Sequence, residues 1–142
     1  MSHEIALGAI PLEKITVGMS VAYSQTITDA DIKAYAGLSG DHNPVHVDRE
    51  YAEQSRFGKR IAHGLMSAGF FSALFGTRLP GPGCVYVSQS LNFLRPVYID
   101  DTVVAEVCVT AVDLQKRRVS FDTLCKVNGK KVITGCAQIY IP

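Results

Sequence analysis

Nine consecutive residues, Gly40-Asp41-His42-Asn43-Pro44-Val45-His46-Val47-Asp48, gather two aspartates, two histidines, an asparagine and a proline. A carboxylate and an imidazole that converge make a general acid/base pair. Asp41 and His46 are the candidates. They are five residues apart, which turns them about 140° from one another on a helix. On a strand an odd separation puts them on opposite faces. Pro44 removes a backbone donor and disfavours helix at Asn43. An irregular turn is therefore expected to bring the two side chains together. The plain alternative is an exposed loop, whose Asp and Asn bond their own backbone. A metal set from His42, His46, Asp41 or Asp48 is a third option. The proline spoils the helix that would align the two histidines, and no further ligand stands out, so no metal is expected.

A second place for chemistry is His63-Gly64, at the start of an apolar run over 64–76. The first turn of a helix carries unpaired N–H groups and a partial positive charge. Glycine there admits a ligand close to the backbone, and an oxygen gaining negative charge would be stabilised. The same glycine would also serve tight packing where the chain enters the core.

These residues need elements to hold them. Residues 19–27 read as a strand, and Thr28 caps a helix that runs to about Leu38 and stops at Ser39-Gly40. Asp48 caps a short helix to Gln54. The 64–76 helix is apolar all round, with only Ser67 and Ser72 as polar exceptions, so it is expected to be buried on every side. Four strand-like segments follow at 84–94, 102–113, 117–127 and 131–141. Val119, Phe121, Thr123, Cys125 and Val127 alternate with polar neighbours as in a half-buried strand, and Asn128-Gly129 signals a hairpin. One antiparallel sheet curled around one long buried central helix is the hot-dog architecture, an α+β arrangement. With few strands its edges stay open, and a homodimer is expected to cover one.

The totals narrow the function classes. The 142 residues suit a single domain over 1–142, and 47% apolar content can supply its core. A net charge of +1 carries no nucleic-acid footprint. No apolar run is long enough to span a bilayer, and the N-terminal MSHEIALGAIPLEK lacks the basic start and apolar stretch of a signal peptide. A cytoplasmic protein with no membrane partner is expected. Cys84, Cys108, Cys125 and Cys136 form no C-x-x-C pair and are expected as buried free thiols.

The run Ser39-Gly40-Asp41-His42-Asn43-Pro44-Val45-His46 resembles the hydratase motif of the MaoC-like, (R)-specific enoyl-CoA hydratases. Ile61-Ala62-His63-Gly64 with its apolar helix, Leu91-Asn92-Phe93 and Arg95-Pro96-Val97 resemble that family too. The likeness runs from about residue 20 onward and leaves residues 1–18 outside. It implies a hot-dog fold and reversible hydration of trans-2-enoyl-CoA to (R)-3-hydroxyacyl-CoA, with coenzyme A present only as part of the substrate and no other cofactor. It makes Asp41 and His46 the catalytic pair, with Asp41 as base and His46 as proton donor, the reverse assignment staying open. It makes Gly64 the N–H donor to the thioester oxygen. Ser72 becomes a buried helix serine assisting near the site, and Asn43 a further motif residue counted with the substrate-binding set. For the CoA phosphates two basic clusters compete: Arg56, Lys59 and Arg60, or Lys116, Arg117 and Arg118. A thioesterase, a non-catalytic acyl-CoA binding module and an acyl-carrier-protein substrate remain rivals. The pathway, polyester precursor supply or fatty-acid oxidation, stays open.

Overall fold

The computed structural model describes residues 9–142. Residues 1–8, which belong to the stretch read against a signal peptide, lie outside the described residues. After a 3₁₀ turn at Leu12–Lys14, the elements run β1 (Ser20–Thr26), α1 (Asp29–Ser39), α2 (Pro44–Val47), α3 (Arg49–Glu53) and α4 (Gly64–Thr77). Then come β2 (Val85–Gln89), β3 (Asn92–Phe93), β4 (Thr102–Asp113), β5 (Arg118–Val127) and β6 (Lys130–Tyr140).

Local chemistry explains the element ends. Thr28 and Asp31 form a reciprocal capping box at the start of α1, and Gly40 closes it in the left-handed conformation at φ 81°. Asp48 accepts from the Tyr51 amide and starts α3. Asn128 and Gly129 have φ of 50° and 76°, the two positive values that a tight turn between β5 and β6 requires.

The sheet is antiparallel, six strands in the order β1-β4-β5-β6-β2, with β3 also pairing β6. The 84–94 segment is thus two strands rather than one. The break has a cause at Gly135 of β6. A Cβ there would sit 1.9 Å from the Ser90 carbonyl oxygen, so the chain crosses the glycine at Ser90 and resumes pairing at Asn92.

The inward faces of β4 and β5 carry Val103, Ala105, Val107, Val109, Val119, Phe121 and Cys125 against α4. Phe71, Leu74 and Phe75 of α4 fill that concavity, and the Phe75 ring meets Phe121 and Tyr86. Burying each such aromatic ring contributes about 1.5–3 kcal/mol. Within one chain, however, the helix is not covered all round. Leu65 is 59% exposed, and Gly69, Ser72 and Ala73 are exposed beside it. A sheet curls around only one side of a cylinder, and the other side of α4 faces outward. Among the described residues no helix is long and apolar enough to cross a membrane. The four cysteines are free thiols, but Cys136 is exposed, because it sits on the outer face of β6.

Candidate active site

The dense stretch does not form an irregular turn throughout. Pro44 sits at the first position of α2, where its missing N–H costs nothing. Asn43 is the N-cap, extended as the residue before a proline should be, and its Oδ1 accepts from the Val45 amide. One helical turn then carries His46 inward, where it is 8% exposed. Asp41 lies just before the turn. Its amide donates to the Ser39 hydroxyl, and its Oδ1 accepts from the Asn43 amide. That leaves Oδ2, which lies 4.0 Å from His46 Nε2. So α2 and the two residues before its cap bring the pair together, and Asn43 Oδ1 helps to shape that turn.

The state of His46 follows from its partners. Its Nδ1 lies 2.7 Å from the Ile61 carbonyl oxygen. A carbonyl only accepts, so Nδ1 carries the proton and Nε2 presents a lone pair. Burial holds the imidazole below its ordinary range, with His63 adding to that, while the Ile61 bond and the Asp41 charge pull the other way. The ring is therefore neutral at pH 7. Two acceptors face each other. One water oxygen about 2.8 Å from each, donating along both O–H bonds, leaves such acceptors about 4.4 Å apart, so the 4.0 Å gap is close to one water wide.

The segment 60–63 binds this pair to the rest of the fold. Its Ile61 amide donates to the Val45 carbonyl and its Ala62 amide to the Val97 carbonyl. Arg60 donates from Nε to the His46 carbonyl at 2.6 Å and pairs through Nη1 with Asp29 at 2.7 Å. Lys33 and Arg60 hold the Asp29 carboxyl below its ordinary range. Arg60 is thus engaged inside the fold and is not a free phosphate ligand, a role the sequence could not separate from that of its basic neighbours.

His63 is the N-cap of α4, with no side chain capping that end, so the first amides remain available to a ligand. Gly64 and His46 line one cavity of about 280 Å³, with Arg56, Phe57, Phe93 and Arg95 along its wall. That is at the small end of ligand pockets, which start at about 300 Å³. Gly64 lies at the helix end facing the cavity, and the tight-packing reading has a contact behind it: a Cβ there would meet the Phe93 ring at 2.5 Å.

Ser72 is not buried and does not join the pair. It lies eight residues along α4 from Gly64, about 12 Å at 1.5 Å per residue, on the exposed side. The fully buried serine is Ser67. A helix apolar on every side gives no phase, so the sequence could not say which serine faces inward. Arg95 was missed as a cavity residue because it stands alone among apolar neighbours. Lys59 sits over the Tyr98 ring at 4.6 Å, whereas Lys116 and Arg118 line a different groove. His63 supplies the third group the sequence lacked for a metal set: Asp41, His46 and His63 each offer a ligand atom, all within 4.8 Å of one another. Each histidine bonds a backbone carbonyl through one ring nitrogen, which leaves His46 Nε2 and His63 Nδ1 free, and the two rings are stacked.

Comparisons with known proteins place the chain in a family and agree with its fold. The family described as MaoC like domain matches residues 14–134, starting somewhat earlier than the motif resemblance. An (R)-specific enoyl-CoA hydratase of Rhodospirillum rubrum is 52% identical over 92% of this chain and 90% of its own. A 3-hydroxybutyryl-CoA dehydratase of Methylorubrum extorquens is 40% identical over 96% of this chain and 87% of its own. The solved structure of the (R)-hydratase from A. caviae involved in PHA biosynthesis superposes with a TM-score of 0.89 at 37% identity, covering 92% of this chain and 99% of that one.

Proposed function

The chain belongs to the MaoC-like domain family, and from that premise we propose that it catalyses the reversible (R)-specific hydration of trans-2-enoyl-CoA to (R)-3-hydroxyacyl-CoA. The observation that carries this is the one-water gap between the Asp41 carboxylate and the bare Nε2 of His46, on a cavity that also reaches the open helix end at Gly64. The stereochemistry rests on the likeness to (R)-specific hydratases.

A water in that gap donates one hydrogen to each acceptor, which turns its lone pairs toward the cavity. C3 of an enoyl thioester is electrophilic because its double bond is conjugated to the carbonyl. The water oxygen bonds to C3, His46 Nε2 takes the proton, and the C2=C3 electron pair moves to the thioester oxygen. The Gly64 N–H and the helix dipole stabilise that oxygen, a contribution of about 100- to 1000-fold in rate. The imidazolium then returns its proton to C2, and Asp41 stays ionised throughout, orienting the water and stabilising His46⁺. His46 is thus base first and proton donor second, rather than the donor to an Asp41 base, because its resting Nε2 has no proton to give. No metal or redox cofactor takes part, and coenzyme A enters only with the substrate.

Arg56 and Arg95 are the candidates for the CoA phosphates, since they share the cavity wall with His46 and Gly64. The exposed side of α4, with Leu65 and Ser72, is the surface a second copy would cover in a homodimer. The likeness to the A. caviae protein favours polyester precursor supply as the pathway.

The test is loss of enoyl-thioester absorbance with crotonyl-CoA, with chiral analysis of the product. The (R)-3-hydroxybutyryl-CoA product is expected. Inactivity on both crotonyl-CoA and octenoyl-CoA would refute the assignment, and release of free thiol would replace it with a thioesterase.

A further inference from the structure

His63 takes no part in the chemistry above, yet its surroundings are not those of a filler side chain. It is 2% exposed. Its ring lies stacked on His46, centroids 3.9 Å apart and planes 28° apart. Tyr35 of α1 leans on it with centroids 4.8 Å apart. Its Nε2 lies 2.9 Å from the Asp41 carbonyl oxygen. That carbonyl only accepts, so Nε2 carries the proton and Nδ1 is bare. Nδ1 is buried with no hydrogen-bond partner. A buried acceptor left unpaired is destabilising, and a phenylalanine of similar shape would avoid it. Packing alone therefore does not account for an imidazole here. What the imidazole adds over a phenyl ring is the Nε2–H on Asp41.

We propose that His63 is the positioning residue of the acid/base pair: its ring fixes the plane of His46, and its Nε2–H fixes the backbone at Asp41, so that Oδ2 and Nε2 stay one water apart. It acts through these two residues and touches no substrate. The two contacts come from one side chain, so the ring plane and the carboxylate position are set against a common reference. The same residue is the N-cap of α4, which ties the pair to the helix end that carries Gly64. The inference rests on the hydratase reading for its catalytic consequence, but not for its geometry.

Two variants separate the two contacts. His63→Phe keeps the stacked ring and loses the donor to Asp41. His63→Gln keeps an amide N–H for Asp41 and loses the ring. Each is expected to lower kcat on crotonyl-CoA by about 10- to 100-fold, as misplacement of reacting groups by about 1 Å does, with KM within about threefold of wild type. Wild-type kcat in either folded variant would overturn the proposal, as would a loss confined to KM. A substrate-free measurement accompanies these. The imidazole ¹⁵N shifts of the wild-type protein should report His63 protonated at Nε2 and bare at Nδ1, and His46 the reverse. The opposite tautomer at His63 would overturn the proposal even if both variants failed to fold. A wild-type protein without hydratase activity would refute the proposed function alone, and the ring-nitrogen measurement would then decide this geometry by itself.

Discussion

Replacing Gly64 with alanine is expected to lower kcat/KM about tenfold, and the cost should vanish when Phe93 is also shortened. The alanine Cβ would sit 2.5 Å from Phe93 Cε1 and 2.6 Å from Cδ1. Non-bonded carbons settle at about 3.5–4.0 Å, so one partner must move by about 1 Å. Backbone strain is not the cause, since Gly64 does not adopt a positive φ and alanine favours helix over glycine. Phe93 is 54% exposed and sits on a two-residue strand, so its ring yields before the helix does. That ring also lines the cavity beside Gly64, and its displacement disturbs the slot at the helix end proposed above for the thioester oxygen. A tenfold loss corresponds to about 1.4 kcal/mol, within the coupling expected for touching residues. The assay is a double-mutant cycle on kcat/KM with crotonyl-CoA: wild type, Gly64→Ala, Phe93→Ala and both. In the Phe93→Ala background the alanine should cost less than about threefold. An equal cost in both backgrounds would refute the crowding mechanism and leave Gly64 acting through the backbone alone.

Other expectations concern the pair and the thiols. Asp41→Asn and His46→Gln should each lower kcat by about 100- to 10,000-fold with a native circular dichroism spectrum; the melting temperature should stay near wild type for exposed Asp41 and fall for His46, which is buried, bonded to the Ile61 carbonyl and stacked on His63. Because burial depresses the His46 pKa and the base must be unprotonated, kcat/KM should rise with pH through a value below the ordinary imidazole pKa of about 6.5; a limb above that value would contradict the buried neutral ring. Native protein should react rapidly with a thiol reagent at exposed Cys136, while Cys125, whose burial pushes its thiol up to about 12, should react only on unfolding, as timed by absorbance of the released chromophore.

Features that depend on near neighbours were legible in the amino-acid order. The Thr28 capping box closes over three residues, the Asp48 cap over three, and the Asn128-Gly129 turn over two. The alternation in β5 assigned its inward face residue by residue, because a strand's side chains have a period of two. The types and spacing of Asp41 and His46 marked a carboxylate–imidazole pair that the fold brings to 4.0 Å. They did not show how it forms, because Pro44 reads as a breaker and only its place at the first position of α2 makes it a helix start. The proton on His46 is fixed by Ile61, fifteen residues away, and the backbone at Asp41 by His63, twenty-two residues away. That Ser67 is buried and Ser72 exposed was decided by the side of α4 the sheet covers. Arg60 was drawn inward by Asp29 and the His46 carbonyl, and Arg95 was placed on the cavity wall by the pairing of β3 with β6. The partners that set a cap or a turn stand beside it in the chain, whereas those that set a proton, a gap or a buried face come from distant segments and meet only in the folded chain.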